Sequence, residues 1–589
     1  MCGIYCVIND KSGKVGQNIL EGLKKLEYRG YDSWGIAVIT KEGKVIKIDK
    51  HIGKIGQAKT NLPSGTIGIG HTRWATHGGV TDNNAHPHVD CKQKLAVIHN
   101  GIVENYQELK DQLIRQKHAF KSQTDTEVIA HLIEEENKHL PIKKAVFKAF
   151  KKLVGSNAIC VLDMKTKMVV SCRNGSPLVV GITKDTFYLA SDVTPFLRET
   201  SRVHFLHDGE SVVISKDGLR LFDVKKEVQK KLKPQTIDWK VEDSEKGGYP
   251  HFLLKEIMEQ RVTISKVASL NEDKIFDLAK KVREGYKICM IACGSASYTT
   301  LAAKYFFARH GIEAHSYGAY EFLPFAKLYG KNILFIAVSQ SGETADTLIA
   351  AKYAKQNGAK IIAVVNARGS TLERLADYIL PVGAGPEIAV VSTKAFTSQL
   401  STLYLLSEAC GNSLNKGQAK LRYLQNSLTR WMDDKLHEKI IALGKMLMDH
   451  QHVYLIGKHE NYPATLEFAL KMKEASYTHA EAFAAGELKH GVIALIQKGT
   501  PCVVLGQNDE TKQEVLSSAM ELKARDGMII GVAPYDAKEF DYLIKTPDLG
   551  ELTLIGNIIV GQLLGYYLGL GRGADPDKPR NLAKSVTVK

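Results

Sequence analysis

The fold class follows from Val338-Ser339-Gln340-Ser341-Gly342-Glu343-Thr344, which lies between the apolar run 333–338 and a predicted helix at 345–356. The run is typical of a buried parallel strand. A strand that ends in hydroxyl-bearing residues and a glycine, directly before a helix, can bind a phosphate group. The first N–H groups of the helix have no partner within it and can donate to the phosphate oxygens. The segment lacks a lysine and the GxxxxGK[ST] spacing, which argues against a nucleotide-type P-loop. A plain N-capped helix is the alternative interpretation.

This strand–loop–helix unit occurs twice in the second half of the chain. We predict strands at 288–292, 333–338 and 361–365, and again at 453–456, 503–505 and 528–532. Strands that alternate with helices predict a parallel sheet with helices on both faces, so we expect two doubly wound α/β domains. The second copy carries Asn508 and Asp509 where the first has serine and glycine. An acidic group repels phosphate, so we expect one phosphate site per chain, in the first copy.

The composition indicates an ordinary globular protein of several domains. The chain has 589 residues, 44% apolar and 24% charged. Its net charge of +15 is spread over many helices without a zinc pattern or RNA-stacking motif, which argues against nucleic-acid binding. The nine cysteines form no CxxC pair, and we expect no signal peptide, so the sequence predicts a cytoplasmic protein.

One segment has the length of a membrane span. Residues 552–571 contain no charged side chain. They do contain Asn557, Gln562 and five glycines. We therefore predict a fully buried helix that packs closely through its glycines, and no membrane association.

Cys2 is the most unusual residue of the first half. Removal of Met1 would leave Cys2 with both a thiol and a free α-amine. The ordinary pKa values of these groups are about 8.5 and about 8, so the amine can act as general base for the thiol. A buried cysteine on an N-terminal strand is the alternative.

Four further residues suggest a binding site for a small polar molecule. Arg73 follows a predicted strand and suits a carboxylate ligand through a two-pronged contact. Asn100 and Gly101 follow another strand and offer an amide and an N–H for an oxyanion. Asp125 precedes a predicted helix and either caps it or binds a ligand amine.

A group of five histidines between residues 71 and 99 does not predict a metal site. They are His71, His77, His86, His88 and His99. Their spacing matches no His-x-x-x-His ligand pair on a helix, so we expect no metal.

Motifs in the first half resemble the N-terminal-nucleophile glutamine amidotransferase domain over residues 2–220. They are CGI at the start, YRGYDS, HTRWATHG, NNAHPH, HNGIVENY and SQTDTEVIAHL. The resemblance implies an αββα sandwich in which Cys2 attacks the side-chain amide of L-glutamine. It also implies that Asn100 and Gly101 stabilise the oxyanion and that Trp74 gates the passage of ammonia. The glutamine-binding residues it implies are Arg73, Thr76, His77 and Asp125. Trp34 stands where the family usually has a small residue.

The candidate catalytic residues of the second half include two lysines. Lys471 and Glu474 share a helix face, where a surface ion pair is the alternative interpretation. Lys584 lies in an apolar tail and is either a buried Schiff-base lysine or a solvated one.

The domain boundaries of the chain follow from these segments. We predict a linker at 221–250, α/β domains at 275–415 and 440–579, and a tail at 580–589.

The second half is similar to the paired sugar-isomerase (SIS) domains of glutamine-dependent hexose-phosphate aminotransferases. The resemblance implies D-fructose 6-phosphate as the second substrate. It implies sugar-phosphate contacts by Ser295, Ser339, Gln340, Ser341, Thr344 and Ser392. It implies a Schiff base on Lys584, proton transfer by Glu474 beside Lys471, and ring opening by His490. The histidine would come from a neighbouring subunit, which implies at least a homodimer, and the reaction requires no cofactor. Ala296 and Val492 depart from the family pattern.

Two other functions compete with this interpretation. Another amidotransferase with an N-terminal cysteine would need an acidic diphosphate-binding loop after a strand, and the sequence has none. A non-catalytic sugar-phosphate sensor would have an unreactive Lys584. The enzyme is favoured because the chain carries all four of the candidate catalytic residues Lys471, Glu474, His490 and Lys584.

Overall fold

The structure is a computed structural model that describes residues 2–237 and 245–587. The chain divides into two compact units. Unit 1 extends to residue 244 and includes the tail from Ala583, and unit 2 comprises Glu245–Leu582.

The described residues of unit 1 form two antiparallel sheets and four α-helices. Its strands are β1 (Gly3–Ile8), β2 (Ser33–Ile39), β3 (Ile46–Ile52), β4 (Ile67–Arg73), β5 (His88–Val89), β6 (Leu95–Gly101), β7 (Asn157–Asp163), β8 (Met168–Asn174), β9 (Val179–Ile182), β10 (Phe187–Ala190), β11 (Arg202–Phe205), β12 (Glu210–Ser215), β13 (Gly218–Asp223), β14 (Gln229–Lys230) and β15 (Gln235–Thr236). Its helices are α1 (Val15–Leu26), α2 (Tyr106–Arg115), α3 (Glu127–Asn137) and α4 (Ile142–Phe150). The strand orders are β15-β11-β9-β10-β1-β4-β2-β3 and β14-β13-β12-β8-β7-β6-β5.

The side-chain alternation of β6 shows how the layers of unit 1 are stacked. Ala96 and Ile98 belong to the apolar core that also contains β1 and β4. Leu95 and Val97 belong to the core formed with α2, α3 and α4. Helix α1 packs on β1 and β4. The predicted αββα sandwich is therefore confirmed, with the polar ends of β4 and β6 beside the start of β1.

The predicted linker at 221–250 is partly wrong. The end of β13 and the strands β14 and β15 lie within it. Strands β14 and β15 have two exposed residues each, so they carry no apolar alternation that a sequence pattern would reveal. Residues 238–244 of that segment lie outside the described residues.

Unit 2 alternates strands and helices. Its strands are β16 (Lys287–Ala292), β17 (Ala314–Gly318), β18 (Ile333–Ser339), β19 (Lys360–Val365), β20 (Tyr378–Pro381), β21 (His452–Gly457), β22 (His479–Ala484), β23 (Pro501–Leu505), β24 (Met528–Ala533) and β25 (Tyr542–Lys545). Its helices are α5 (Phe252–Val267), α6 (Glu272–Arg283), α7 (Ser295–Ala308), α8 (Ala345–Gln356), α9 (Thr371–Leu375), α10 (Lys394–Cys410), α11 (Leu414–Trp431), α12 (Asp434–Met446), α13 (Asn461–Ser476), α14 (Lys512–Lys523) and α15 (Thr553–Gly571).

The two parallel sheets of unit 2 have the same topology. Their strand orders are β17-β16-β18-β19-β20 and β22-β21-β23-β24-β25. The predicted pair of doubly wound sheets is confirmed. The strand order reverses between β16 and β18, and ligands of such folds bind at the carboxyl ends of the strands at this point. The loop after β18 and the start of α7 meet there, since Ile291 pairs with Ala337.

Helix α15 is buried inside unit 2, as its glycines predict. The segment Gly550–Gly571 has the length and composition of a membrane span, yet 83% of its most apolar window is buried. Three glycines spaced four residues apart face α13. A Cβ atom at Gly561 would lie 2.5 Å from the Phe468 ring, one at Gly565 2.8 Å from the Lys471 carbonyl oxygen, and one at Gly569 2.2 Å from the Ala475 carbonyl oxygen. The two helix backbones therefore approach closely along this face.

We expect Gly569→Ala to destabilise unit 2, because the new methyl group would overlap the α13 backbone. Overpacking of this kind costs about 1–3 kcal/mol. Differential scanning calorimetry would measure the loss as a lower melting temperature. Gly556→Ala in the same helix is the matched control, since its Cβ would meet atoms no closer than 3.5 Å. Alanine favours helix over glycine by about 1 kcal/mol, so a lower melting temperature for the control would contradict this explanation.

Candidate active sites

Cys2 lies at the start of β1 beside the polar end of β4. The Trp74 N–H donates to the Cys2 sulfur at 3.3 Å. Burial is the largest effect on the thiol and raises the pKa of Cys2, while the Trp74 N–H and the Arg73 guanidinium act in the opposite direction. The structure therefore brings Trp74 into direct contact with the candidate nucleophile.

Asn100 reaches Cys2 from the end of β6. Its Nδ2 donates to the Cys2 carbonyl oxygen at 2.9 Å. His71 Nε2 lies 3.0 Å from both the Asn100 Oδ1 and the His99 carbonyl oxygen. Burial lowers the pKa of His71 to about 3, so the ring is neutral and its Nε2 carries the proton between these two acceptors. His71 thereby turns the Asn100 amino group towards Cys2, a positioning role that the sequence analysis missed.

Gly101 follows Asn100 in a conformation that requires glycine. Its φ is +129°. A Cβ atom there would lie 1.8 Å from the Ser156 carbonyl oxygen. The close approach of β7 explains why a side chain is excluded at this point of the candidate oxyanion site.

Arg73 and Asp125 are both buried and have different backbone partners. The Arg73 guanidinium donates to the carbonyl oxygens of His77, Gly78 and Gly79 and so holds the turn after β4. Asp125 accepts from the Val103 N–H at 2.7 Å. Burial lowers the pKa of Arg73, and the charges of Cys2 and Asp125 oppose that shift, so these groups interact electrostatically.

The remaining predicted residues of this site lie around it. Thr76 is exposed and His77 is half-buried. The His77 ring packs edge-on against Tyr106, with ring centroids 5.5 Å apart. Trp34, which departs from the family pattern, is buried and stacks on His51 at 4.5 Å.

The serine-rich loop after β18 is closed by its own hydroxyl groups. The Gly342 N–H donates to Ser339 Oγ at 3.0 Å, and the Glu343 N–H donates to Ser341 Oγ at 3.2 Å. Ser339 Oγ also lies 3.2 Å from Thr344 Oγ1 at the start of α8. Gly342 has a φ of +63° and its Cβ position is occupied by Ser370, so the turn needs glycine. The Gln340 carbonyl oxygen accepts from the Asn366 and Ala367 N–H groups.

A buried lysine contacts the start of α7. Lys471 on α13 donates to Ser295 Oγ at 3.0 Å, to the Ser392 carbonyl oxygen at 3.2 Å and to Glu474 Oε2 at 2.6 Å. Glu467 Oε1 lies 3.3 Å from the same Nζ. The lysine side chain is 1% exposed, so the alternative of a surface ion pair is wrong for Lys471.

The two carboxylates beside Lys471 differ in their access to solvent. The Glu467 side chain is fully buried, whereas Glu474 is 20% exposed. Burial raises the pKa of Glu467 to about 7. Burial opposes the charge on Lys471, but Glu467 and Glu474 outweigh that effect and raise its pKa. Sequence reasoning missed Glu467, although its i,i+4 spacing to Lys471 was a usable signal.

We expect Glu467 to make unit 2 less stable as the pH rises from 5 to 8. Between its unfolded pKa of about 4.3 and its folded value near 7, the folded state holds a proton that the unfolded state releases. The free energy of unfolding therefore falls with rising pH, by up to about 3 kcal/mol. Thermal unfolding of Glu467→Gln should show a shallower pH dependence. Glu438→Gln, which removes an exposed carboxylate on α12, is the control, and parallel slopes for all three proteins would contradict the assignment.

The remaining predicted residues of this half are Ser392, His490 and Lys584. The Ser392 hydroxyl donates to Glu387 at 3.1 Å, so its carbonyl, rather than its hydroxyl, contacts Lys471. His490 is exposed at the end of the 3-10 helix Ala485–His490. Lys584 lies in the tail that belongs to unit 1.

Two family models match the chain. Residues 71–198 match the glutamine amidotransferase domain, and residues 282–409 and 446–537 match the SIS domain. The fold, the Cys2–Asn100 pair and these matches define an amidotransferase unit followed by a pair of SIS domains.

Relatives that match over the whole chain narrow this class to one family. The glutamine–fructose-6-phosphate aminotransferase [isomerizing] of Thermococcus kodakarensis is 43% identical, and that of Pyrococcus horikoshii is 42% identical, with 100% of each chain covered. A solved structure, the C-terminal domain of glucosamine-fructose-6-phosphate aminotransferase from Francisella tularensis, is 31% identical. It has a TM-score of 0.52 and matches 57% of this chain and 99% of its own. The chain belongs to the glutamine–fructose-6-phosphate aminotransferase family.

Proposed function

We propose that this chain converts L-glutamine and D-fructose 6-phosphate into L-glutamate and D-glucosamine 6-phosphate. The observation that carries the proposal is the buried Lys471, held by Ser295 and Glu474 at the carboxyl ends of the parallel strands. A lysine–carboxylate pair beside a hydroxyl-rich loop suits proton transfer on a sugar phosphate. The same chain carries the Cys2–Asn100 pair, which suits release of nitrogen from an amide.

In the proposed glutaminase reaction, the Cys2 sulfur attacks the amide carbon of glutamine. Removal of Met1, which lies outside the described residues, would free the Cys2 amine to take the thiol proton and pass it to the leaving ammonia. The Asn100 amino group and the Gly101 N–H stabilise the oxyanion. Water then hydrolyses the thioester to glutamate.

Substrate binding in this reaction uses the groups around Cys2. Arg73 binds the α-carboxylate and Asp125 the α-amine of glutamine, because the two side chains are buried and carry opposite charges. Thr76 and His77 complete the pocket. Trp74, in contact with the Cys2 sulfur, gates the ammonia that leaves.

In the proposed isomerase reaction, the loop after β18 and the start of α7 bind the phosphate. The residues assigned to the sugar phosphate are Ser295, Ser339, Gln340, Ser341, Thr344 and Ser392. His490 opens the sugar ring, and Lys584 forms a Schiff base with the carbonyl carbon as water leaves. Ammonia then takes the place of the Lys584 amine on that carbon, which frees the lysine. Glu474 moves the proton between the first two sugar carbons, with Lys471 fixing its position. These groups suffice without a cofactor.

The second parallel sheet lacks the features of a phosphate site. Asp509 accepts from the Thr511 N–H at 2.9 Å and from its hydroxyl at 2.6 Å, so a carboxylate already occupies the start of α14. We therefore assign one sugar-phosphate site to each chain. We also assign the protein to the cytoplasm as a homodimer or larger homo-oligomer.

Glutamine labelled with nitrogen-15 at the amide tests the overall reaction. Mass spectrometry should find the label in the amino sugar when fructose 6-phosphate is present. Excess unlabelled ammonium in the buffer should not dilute the label if the nitrogen passes internally. An unlabelled sugar product, or none, would overturn the proposed function.

Borohydride reduction tests the Schiff base and separates the enzyme from a sugar-phosphate sensor. With fructose 6-phosphate present, reduction should attach the sugar covalently to the peptide that contains Lys584. Lys584→Arg keeps the charge and is the matched control, which should give no adduct. Binding of fructose 6-phosphate without any adduct would favour the sensor.

A further inference from the structure

Cys91, His118, His131 and Glu134 form a second cluster of reactive groups in unit 1. Cys91 lies in the turn between β5 and β6, and His118 lies between α2 and α3. His131 and Glu134 are three residues apart on α3, so they share one face of that helix. One ligand atom from each residue lies within 4.8 Å of all the others.

Four of the six distances between ligand atoms of the cluster fit the edges of a tetrahedron around a metal ion. The Cys91 sulfur lies 3.6 Å from His118 Nδ1 and 3.5 Å from His131 Nδ1. Glu134 Oε2 lies 3.2 Å and 3.3 Å from the same two nitrogens. A tetrahedral zinc ion with its usual bond lengths of about 2.0–2.3 Å separates neighbouring ligand atoms by about 3.3–3.6 Å.

Carboxylates face the outer nitrogens of both histidines. His118 Nε2 lies 3.0 Å from Glu135 Oε2, and His131 Nε2 lies 3.6 Å from Glu127 Oε1. Glu127 is itself fixed by the Lys121 and Ser122 N–H groups at 2.8 and 2.7 Å. Histidines that bind a metal commonly direct the other ring nitrogen to a carboxylate, which sets the tautomer. The His118 ring therefore has the orientation of a metal ligand, and the outer nitrogen of His131 faces a carboxylate at the longer distance of 3.6 Å.

The four side chains of this cluster are paired less well by hydrogen bonds among themselves than by a bound cation. Glu134 Oε2 is approached by both Nδ1 atoms and by the Cys91 N–H at 3.0 Å. To donate to both carboxylates, His118 would need a proton on each ring nitrogen. With a cation in the centre, two neutral imidazoles, a thiolate and a carboxylate each fill one ligand position. The negative charges of Cys91 and Glu134 balance a doubly charged ion.

We propose that Cys91, His118, His131 and Glu134 bind one Zn²⁺ ion in a closed, four-ligand structural site. A sulfur, two imidazole nitrogens and one carboxylate oxygen favour zinc over calcium or magnesium, which prefer oxygen ligands. Cys91 is exposed, which gives the ion an entry path. The ion would tie the β5–β6 turn and the α2–α3 segment to α3, the helix that begins just after Asp125.

This proposal departs from the expectation of no metal. That expectation rested on the spacing of the histidines from His71 to His99. The ligands of the present cluster come from three separate segments, so no short motif signals them.

Metal analysis of the untagged full-length protein tests the site. Inductively coupled plasma mass spectrometry should find about one zinc ion per chain after dialysis. Cys91→Ser and His131→Ala should each lose the bound zinc. His139→Ala is the matched control, because it removes an exposed histidine just beyond α3 and should keep the zinc.

Cobalt substitution gives a readout that does not depend on activity. The Co²⁺-loaded protein should show the absorption of a tetrahedral cobalt thiolate, and Cys91→Ser should lose its charge-transfer band. Circular dichroism would confirm that Cys91→Ser is folded, as expected for an exposed side chain. Glu135→Gln keeps all four ligands and should weaken zinc binding about 10- to 100-fold. Protein that binds no stoichiometric zinc or cobalt when either is added, or full retention by Cys91→Ser, would overturn the proposal.

Discussion

Cys2→Ala should lower glutamine-dependent synthesis of glucosamine 6-phosphate by at least about 10,000-fold, the size of effect seen when a covalent nucleophile is removed. Alanine has no atom that can form the thioester. The Asn100 amide and the buried Arg73 would remain, so glutamine binding should persist while its hydrolysis stops. Glutamate release and amino-sugar formation, measured on the same preparation, would show the loss.

Isomerisation of fructose 6-phosphate is the internal control for this variant. The groups proposed for that reaction are separate residues, so Cys2→Ala should retain it within a few-fold. Cys2→Ser adds a matched comparison, because it keeps the side-chain size but supplies a weaker nucleophile. Full glutamine-dependent activity of Cys2→Ala, or of protein that keeps Met1, would defeat the assignment of Cys2.

The central strands of unit 2 could be predicted from the sequence because their residues are buried on both faces. Strand β18 and helix α8 agree with the predicted 333–338 and 345–356 within one residue. The edge strands β17, β20, β22 and β25 were missed, since they are short and largely half-buried. An apolar run marks a central strand of a parallel sheet, but an edge strand has no such mark.

The sequence predicted which residues belong to the candidate site, but not which of them are in contact. The sequence placed Lys471 and Glu474 on one helix face, but it could not decide between an exposed ion pair and a buried one. That decision depends on α7, whose Ser295 accepts from Lys471 across 176 residues of chain. The role of His71 could not be predicted for the same reason, because His71 orients Asn100 from a different strand. Such contacts arise only when the sheets and helices are packed.

Glu474→Gln should reduce isomerisation of fructose 6-phosphate by about 100- to 10,000-fold, the usual contribution of a general acid–base group. Glutamine keeps the shape of the side chain and its contact with Lys471, but its amide cannot accept and return a proton. Binding of the sugar phosphate should change little, because the loop after β18 is untouched. The loss should therefore appear in kcat rather than in KM, and exchange of substrate protons with deuterated solvent should fall in parallel.

Glu467→Gln is the matched control, since Glu467 contacts the same Nζ atom from the same helix. Its side chain is fully buried, so it has no path to a substrate, whereas Glu474 is 20% exposed. Only Glu474 can both receive a proton from a sugar carbon and remain fixed by Lys471. If Glu467→Gln lost as much activity as Glu474→Gln, the lysine and not the exposed carboxylate would control the rate. If Glu474→Gln kept activity within about 10-fold, another base would have to move the proton.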